Sequence, residues 1–198
     1  MKKHRPNGPA PTALESNVLK LRALEMILIV FYMEDLRRFI IKAVTLSNQF
    51  QQQPAPLPDS DLLKHATRTL LDAGVISKDQ RTEFNKLVAY RNIIGHEPHF
   101  LTVDVGPYED LAEMIAIESK NPSGYDGTML DRVIKMRKYL HEAVAKRFIM
   151  EVNFDSLMFE AAEKTYLAEI KLLKSAITSQ INEIKDQIKD ANESTIKA

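Results

Sequence analysis

Apolar side chains recur every three or four residues along most of this chain, and that spacing predicts an all-α fold. The first long stretch, residues 12–49, contains neither proline nor glycine and is expected to form one long helix. Residues 51–60 are rich in proline, which lacks the backbone N–H that a helix needs, so they are predicted to be a connector.

Two shorter helices are predicted after this connector. The first begins near residue 60 and stops at Gly74, which suits the left-handed position that often follows a helix. Ser77 and Gln80 have the spacing of a capping box, and the apolar face of the next helix runs to Ile94.

The second half of the chain follows the same pattern with one short exception. Residues 101–105 are predicted to be extended, and residues 108–119 to form a short helix. Thr128, followed three positions later by an acidic residue, predicts the N-cap of a helix over residues 129–150. A final helix is expected to begin near residue 155.

A short heptad pattern marks this final helix. Such a pattern is typical of helix pairing, but over so few heptads packing on the protein's own bundle is an equal alternative. The sequence thus predicts a disordered leader (1–11), a helical bundle (12–150) and a C-terminal helical extension (151–198) that is either a coiled coil or packed on the bundle. The a-like positions are Leu167, Lys174, Ile181 and Ile188, and the d-like positions are Ile170, Ile177 and Ile184.

Charge and cysteine content narrow the classes of function. The 198 residues include 27 Lys and Arg against 27 Asp and Glu, so there is no overall basic field for nucleic acid and any RNA contact must be local. The absence of cysteine excludes disulfides and thiolate metal sites, and it fits a reducing compartment.

No stretch of the sequence predicts a membrane span or a secretion signal. The longest apolar run, residues 26–33, lies between two glutamates and is far shorter than the roughly 20 residues that a span needs. The basic N-terminus turns to proline and glycine where a signal peptide would be apolar. We therefore expect a cytoplasmic protein.

The residues with chemical content lie in R-N-I-I-G-H, residues 91–96. A neutral imidazole can take a proton from a ribose hydroxyl, and a guanidinium can hold a phosphate with two hydrogen bonds. On a regular helix Asn92 and His96 share a face, whereas Arg91 and His96 diverge by about 140°. Arg91 and His96 converge only if the helix ends or distorts, and Gly95 supplies backbone freedom for that.

The longer phrase GVISKDQRTEFNKLVAYRNIIGHEP, residues 74–98, resembles the HEPN superfamily, whose nuclease members carry R-x4-6-H, commonly with a polar residue after the arginine. Asn92 fills that polar place. The resemblance implies a HEPN-like antiparallel helical bundle with catalytic Arg91 and His96. It also implies a homodimer, in which two such segments form one site that cleaves RNA without metal or cofactor and leaves a 2′,3′-cyclic phosphate. DNA lacks the attacking hydroxyl and should resist cleavage.

A second motif, M-E-D-L-R-R, spans residues 33–38. Glu34 precedes Arg37 and Arg38 by three and four positions, which is helical ion-pair spacing. Some HEPN branches carry an acidic and basic pair on a preceding helix, and the acid positions the active-site arginine. Glu34 is therefore a candidate supporting residue beside Asn92, and a solvated surface ion pair is the alternative.

The other histidines and one departure from the family pattern limit this hypothesis. A toxin branch of the family has a tyrosine two positions after the histidine, where this chain has Pro98, so a tyrosine-modifying antitoxin is not expected. His99 lacks companion ligands and is expected to be a loop residue rather than a metal ligand. His65 and His141 have charged neighbours and are expected on the surface.

Three classes of function follow from these features. The first is an endoribonuclease that is the toxin or effector of a toxin–antitoxin or phage-defence system, with an antitoxin or defence protein as partner. The second is a non-catalytic dimerisation or regulatory module that binds a partner protein, similar to the mannitol-operon repressor family. In such a module Arg91 and His96 would only stabilise a helix end. The third is a coiled-coil assembly subunit, based on the final helix alone.

Overall fold

The computed structural model describes residues 11–50, 62–101, 124–148 and 154–196. These residues form helices and their connections, without a strand, which confirms the predicted all-α class with its long C-terminal helix. The elements are α1 (Ala13–Phe50), α2 (Leu62–Asp72), α3 (Lys78–His96), a 3-10 turn η1 (Pro98–Leu101), α4 (Met129–Ala145) and α5 (Phe154–Ile196).

The two long helices agree with the apolar pattern. α1 is one helix of 38 residues, as expected for a stretch without proline or glycine. α5 has 43 residues and begins one position before the predicted start. Helices of this length persist because neighbouring helices bury one of their faces, more than because of intrinsic propensity.

Local hydrogen bonds end α2 as its sequence predicts. Gly74 has φ of 65°, in the left-handed region that glycine adopts without steric cost. The N–H of Gly74 donates to the carbonyl of Leu71 and that of Val75 to the carbonyl of Leu70, both at 2.9 Å. These two bonds form a Schellman motif, which satisfies carbonyls that the helix leaves open.

The predicted capping box at the start of α3 is also present. The Gln80 backbone N–H donates to Ser77 Oγ at 3.1 Å, and the Ser77 N–H donates to Gln80 Oε1 at 2.8 Å. Two backbone donors without helical partners are satisfied reciprocally, so α3 begins at a defined residue.

The start of α4 differs from its prediction. Thr128 makes no side-chain cap, because its hydroxyl donates to Asp126 Oδ1 at 2.7 Å. The backbone N–H of Thr128 donates to the same oxygen at 2.8 Å, which forms an Asx turn ahead of the helix. The helix ends at Ala145, and residues 146–148 form a turn and a bend, so the predicted extent to residue 150 was too long.

Several predictions concern segments outside the described residues. These are residues 1–10 of the predicted leader, the whole connector over residues 51–60, residues 102–105 of the extended stretch and the short helix over residues 108–119. Leu101, predicted to be extended, lies in η1. No helix in the described part of the chain combines the length and apolar character needed to cross a membrane.

Contacts along the chain divide it into two compact units. The core unit consists of Met26–Glu97 and Asp126–Ala161, and the terminal unit of Met1–Glu25, Pro98–Tyr125 and Ala162–Ala198. The interior of the core unit is mostly apolar and draws on α1 to α4. Its most buried apolar side chains are Leu28, Tyr32, Leu36, Ile40, Leu70, Leu87, Val133, Leu140 and Val144.

In the terminal unit, the first part of α1 contacts α5. The ammonium of Lys174 lies 2.9 Å from the carboxylate of Glu25, and the amide of Asn17 donates to Gln180 Oε1 at 3.2 Å. The helices are antiparallel, because the residue number falls along α1 as it rises along α5. Glu25 is only 1% exposed, and the hydroxyl of Tyr125 also donates to its carboxylate. A charge so deeply buried is tolerated because it is paired and hydrogen-bonded.

Candidate functional site

The motif residues occupy the last two turns of α3. The helix ends at His96, and the N–H of Glu97 closes it by donating to the carbonyl of Ile93 at 2.7 Å. Tyr90 and Ile94 are buried, so they anchor this end of α3 in the core unit. The placement of the motif at a helix end agrees with the sequence analysis.

Gly95 does not distort the helix. The only positive-φ glycine among the described residues is Gly74, and helical assignment continues through Gly95 to His96. An added Cβ on Gly95 would meet nothing within 4 Å. Of the two possibilities raised by the sequence, the helix therefore ends after the motif and stays regular within it. Arg91 and His96 keep the angular separation of about 140° expected for residues five apart.

The structure brings Glu34 of α1 to Arg91 of α3. Arg91 Nη2 donates to Glu34 Oε1, while Nη1 donates to Asn92 Oδ1 at 3.3 Å. The other oxygen of Glu34 lies 3.9 Å from Arg37 Nη1. One carboxylate thus stands between two guanidinium groups, so these three side chains together carry a net positive charge.

The pair is neither buried nor fully solvated, since about 30% of each of the two side chains is exposed. Partial burial makes the interaction stronger than that of a surface pair, while solvent still reaches the guanidinium. Arg91 Nε is buried and has no hydrogen-bond partner within the part of the chain that is described. The guanidinium therefore keeps a donor that Glu34 and Asn92 do not use.

His96 and Asn92 are exposed on the outer surface of α3. Because the helix is regular, these residues, four apart, lie one turn above each other on the same face. His96 is also in the last turn, where a cation would interact favourably with the helix dipole. The geometry therefore allows both an acid–base role and a helix-stabilising role for this imidazole.

The described residues include no group of three or more His, Asp or Glu side chains arranged to hold a metal ion. His99 lies in η1 and is exposed. The chemistry available at the end of α3 is therefore that of a guanidinium, an amide and an imidazole.

A second polar cluster was missed by the sequence analysis. Asp35 is buried, and its Oδ2 accepts from Arg137 Nε at 3.0 Å and lies 3.9 Å from His141 Nε2. The imidazole stacks on Phe39 with ring centroids 4.0 Å apart. His141 is half-buried, with 35% of its side chain exposed, so it lies at the surface only in part, whereas His65 is exposed as expected.

Electrostatics at this cluster keep the imidazole neutral. Burial lowers the pKa of His141 below its usual 6.5, and the positive charge of Arg137 lowers it further, against an opposing effect of Asp35. No spacing in the sequence signals this arrangement, because Asp35 and His141 lie on different helices.

No family model, no curated protein and no solved structure matches this chain. The resemblance of residues 74–98 to HEPN sequences depends on the motif and its flanking phrase alone. The roles of Arg91, Asn92, His96 and Glu34 accordingly stay predictions, although the contact between Glu34 and Arg91 is an observed feature of the fold.

Proposed function

We propose that this protein is a metal-independent endoribonuclease of the HEPN type. The observation that carries the proposal is the ion pair between Glu34 and Arg91. These residues are 57 positions apart, and each belongs to a sequence motif of its own. An arginine oriented by a carboxylate from another helix, on a helix that also carries an exposed imidazole, is suited to phosphate chemistry.

Arg91 is the phosphate-binding residue in this scheme. Glu34 and Asn92 each take one of its terminal nitrogens, so the guanidinium loses less freedom when RNA binds. Arg37 adds a second positive charge beside the same carboxylate. The surplus of positive charge attracts a phosphodiester even though the whole chain has no net charge.

His96 is the acid–base residue. Its neutral imidazole takes the proton from a ribose 2′-hydroxyl, and the 2′-oxygen then forms a bond to phosphorus. The bond from phosphorus to the 5′-oxygen breaks, and that oxygen receives a proton. The products are a 2′,3′-cyclic phosphate and a 5′-hydroxyl end, and no metal takes part.

A second copy of the chain completes the site in this proposal. On a regular α3 the side chains of Arg91 and His96 leave the helix axis about 140° apart, so one copy does not direct both at the same phosphate. Two α3 ends facing each other provide two arginines and two histidines. One imidazole can then act as the base while the other acts as the acid.

In the cell such an activity suits the toxin or effector of a toxin–antitoxin or phage-defence system, held inactive by a partner protein. A non-catalytic module that binds a partner protein is the second candidate. The observation that favours it is the same ion pair, because Glu34 already neutralises part of the charge of Arg91. In that case the wild type would not cleave RNA, and replacing Arg91 would change only the stability of the fold.

RNA cleavage in EDTA tests the proposal directly. We expect His96→Ala to lower the cleavage rate by roughly 10²- to 10⁴-fold, because it removes the acid–base group. His99→Ala is the matched control, since His99 is also an exposed histidine only three positions away, and its rate should stay near that of the wild type. Cleavage that survives His96→Ala, or that EDTA abolishes and divalent metal restores, contradicts the mechanism.

The chemical form of the cleavage products and the activity of an Arg91 variant test the mechanism independently of His96. Gel or mass analysis should show 2′,3′-cyclic phosphate ends, and RNA with 2′-deoxy sugars should resist cleavage. Arg91→Lys should restore little activity, because an ammonium keeps the charge but loses the planar two-bond contact with phosphate. Circular dichroism of His96→Ala and of Arg91→Lys should show the helix content of the wild type.

A further inference from the structure

The last part of α5 carries three exposed isoleucines on one face, Ile181, Ile184 and Ile188, which we call the isoleucine stripe. Their exposed fractions are 38%, 43% and 56%. Single exposed apolar residues are common on protein surfaces, but a row at heptad spacing forms a contiguous apolar patch. Such a patch is typical of an interaction surface.

The stripe continues a seam that is already used inside the terminal unit. Ile170 is buried and Ile177 is half-buried, and they occupy the same heptad position as Ile184, two heptads and one heptad before it. The seam is therefore covered at its beginning and uncovered at its end.

The antiparallel course of α1 explains where this cover stops. Asn17 contacts Gln180, and α1 begins four residues earlier, at Ala13. Because the two helices are antiparallel, Ala13 lies level with about residue 185 of α5. Exposure rises along the stripe as α1 ends. Within the described part of the chain, α1 has no residue left to lie opposite Ile188.

We propose that the isoleucine stripe pairs with the same stripe of a second copy of this chain. The positions that flank a coiled-coil seam set partner choice through their charges. Here these flanking positions are nearly uncharged, so two identical helices meet without like-charge repulsion. The e positions are Thr178, Lys185 and Asn192, and the g positions are Gln180 and Gln187.

Charges on the rest of this helix argue against other occupants. Residues 181–193 contain four acidic and two basic side chains, and only Lys185 of these six flanks the stripe. A net negative helix is poorly suited to an anionic membrane, which attracts basic amphipathic helices. Residues 1–10 contain no Leu, Ile, Val or Phe to cover an isoleucine face.

The side-chain types also indicate the form of the assembly. Isoleucine at both a and d positions favours more than two helices around a seam. Two copies of the terminal unit supply two α5 helices, each with the first part of its own α1 alongside. Because each α1 reaches only to about residue 185 of its own α5, the dimer has four helices at the beginning of the stripe and two at Ile188.

Sedimentation of the full chain tests this proposal. We expect the wild type to be at least a dimer and the double variant Ile184→Glu with Ile188→Glu to associate at least roughly 100-fold more weakly, because it places like charges across the seam. Leu172→Glu is the matched control: Leu172 is 65% exposed but lies off the seam, so association should not change. Circular dichroism should show unchanged helix content, because all three side chains are already exposed.

Cysteine crosslinking provides a second measurement, because the chain has no cysteine of its own. Under oxidising conditions Ile188→Cys should give a disulfide-linked dimer if the two helices are parallel, because each a position then faces the same position of the other copy. If the helices are antiparallel, a positions face d positions, and the double variant Ile181→Cys with Ile184→Cys should give the linked dimer instead. Ser179→Cys, on the opposite face, should give none in either arrangement.

Three results would overturn the proposal. These are a wild-type monomer at high concentration, equal loss of association in Leu172→Glu and in the stripe variant, or a monomer that instead binds anionic vesicles through the stripe. None of these readouts uses RNA cleavage. A wild-type monomer that still cleaves RNA would contradict the stripe and the composite site but not the cleavage, whereas a dimer formed through the stripe that does not cleave RNA would contradict only the proposed activity.

Discussion

Glu34 of α1 sets the orientation and the surrounding charge of Arg91, which belongs to α3. A carboxylate in this place has two opposite effects on a phosphate ligand. In the proposed site it would hold the guanidinium in one orientation, which favours the transition state, and its negative charge would repel RNA. The two effects can be separated by a substitution that removes the charge and keeps the shape.

We predict that Glu34→Gln lowers kcat for RNA cleavage by about 10-fold while KM stays equal or falls. A residue that only stabilises the fold would not produce this split. Glu83→Gln is the matched control, because Glu83 pairs with Arg132 at 2.7 Å in the same core unit and is equally exposed. Steady-state kinetics with a defined RNA is the measurement, and a parallel rise in KM for both variants would contradict a positioning role.

His141 makes stability depend on pH. Its pKa is lowered in the folded protein by burial and by Arg137, so the unfolded chain binds more protons as the pH falls below 6.5. The free energy of unfolding should therefore decrease as the pH falls below 6.5 toward the lowered pKa of folded His141. Asp126 acts at lower pH, because hydrogen bonds from Thr128 lower its pKa below 3.8.

Urea unfolding at several pH values checks this prediction. His141→Phe should flatten the dependence of stability on pH below 6.5, whereas His65→Phe should leave it unchanged because His65 is exposed. A wild-type stability that rises as the pH falls through this window would exclude the effect.

At the scale of helices, the two glycines at helix ends have opposite requirements. Gly74 adopts a left-handed φ that a Cβ would strain. Gly95 lies in a regular turn of α3 with open space where a Cβ would stand. The same substitution should therefore have opposite signs at the two positions.

We predict that Gly74→Ala lowers the free energy of unfolding by about 1 kcal/mol and that Gly95→Ala raises it by about 0.5 kcal/mol. Chemical denaturation of both variants is the measurement. Gly95→Ala should also cleave RNA at the wild-type rate, since α3 needs no distortion there. Loss of cleavage with a stable fold would mean that the motif does depend on backbone freedom at Gly95.

At the scale of the whole molecule, the site proposed for RNA cleavage and the surface proposed for association belong to different compact units. The Arg91 site lies in the core unit, and the isoleucine stripe lies in the terminal unit. The zero net charge conceals this division, because the charge around Arg91 is locally positive while the end of α5 is locally negative. Substitutions in one unit can therefore test one property at a time.

Helix content and several helix ends were determined by the sequence itself. The capping box of Ser77 and the left-handed Gly74 were predicted and are present, because both depend on hydrogen bonds between residues at most five positions apart. The position of R-x4-H at a helix end followed from the same local interactions. The prediction that the Thr128 side chain caps α4 was nevertheless wrong, because nearby Asp126 accepts hydrogen bonds from the hydroxyl and the backbone N–H of Thr128.

Only the tertiary structure decided which side chains from distant segments meet. The packing of the helices determines three such features. Glu34 pairs with Arg91, and His141 contacts Asp35 and Phe39. α1 ends before it can cover the last part of α5. Periodicity shows that a helix has an apolar face, but many partner faces would bury it equally well. The contacts that carry the proposed chemistry and association were therefore selected by packing between helices rather than by any local pattern.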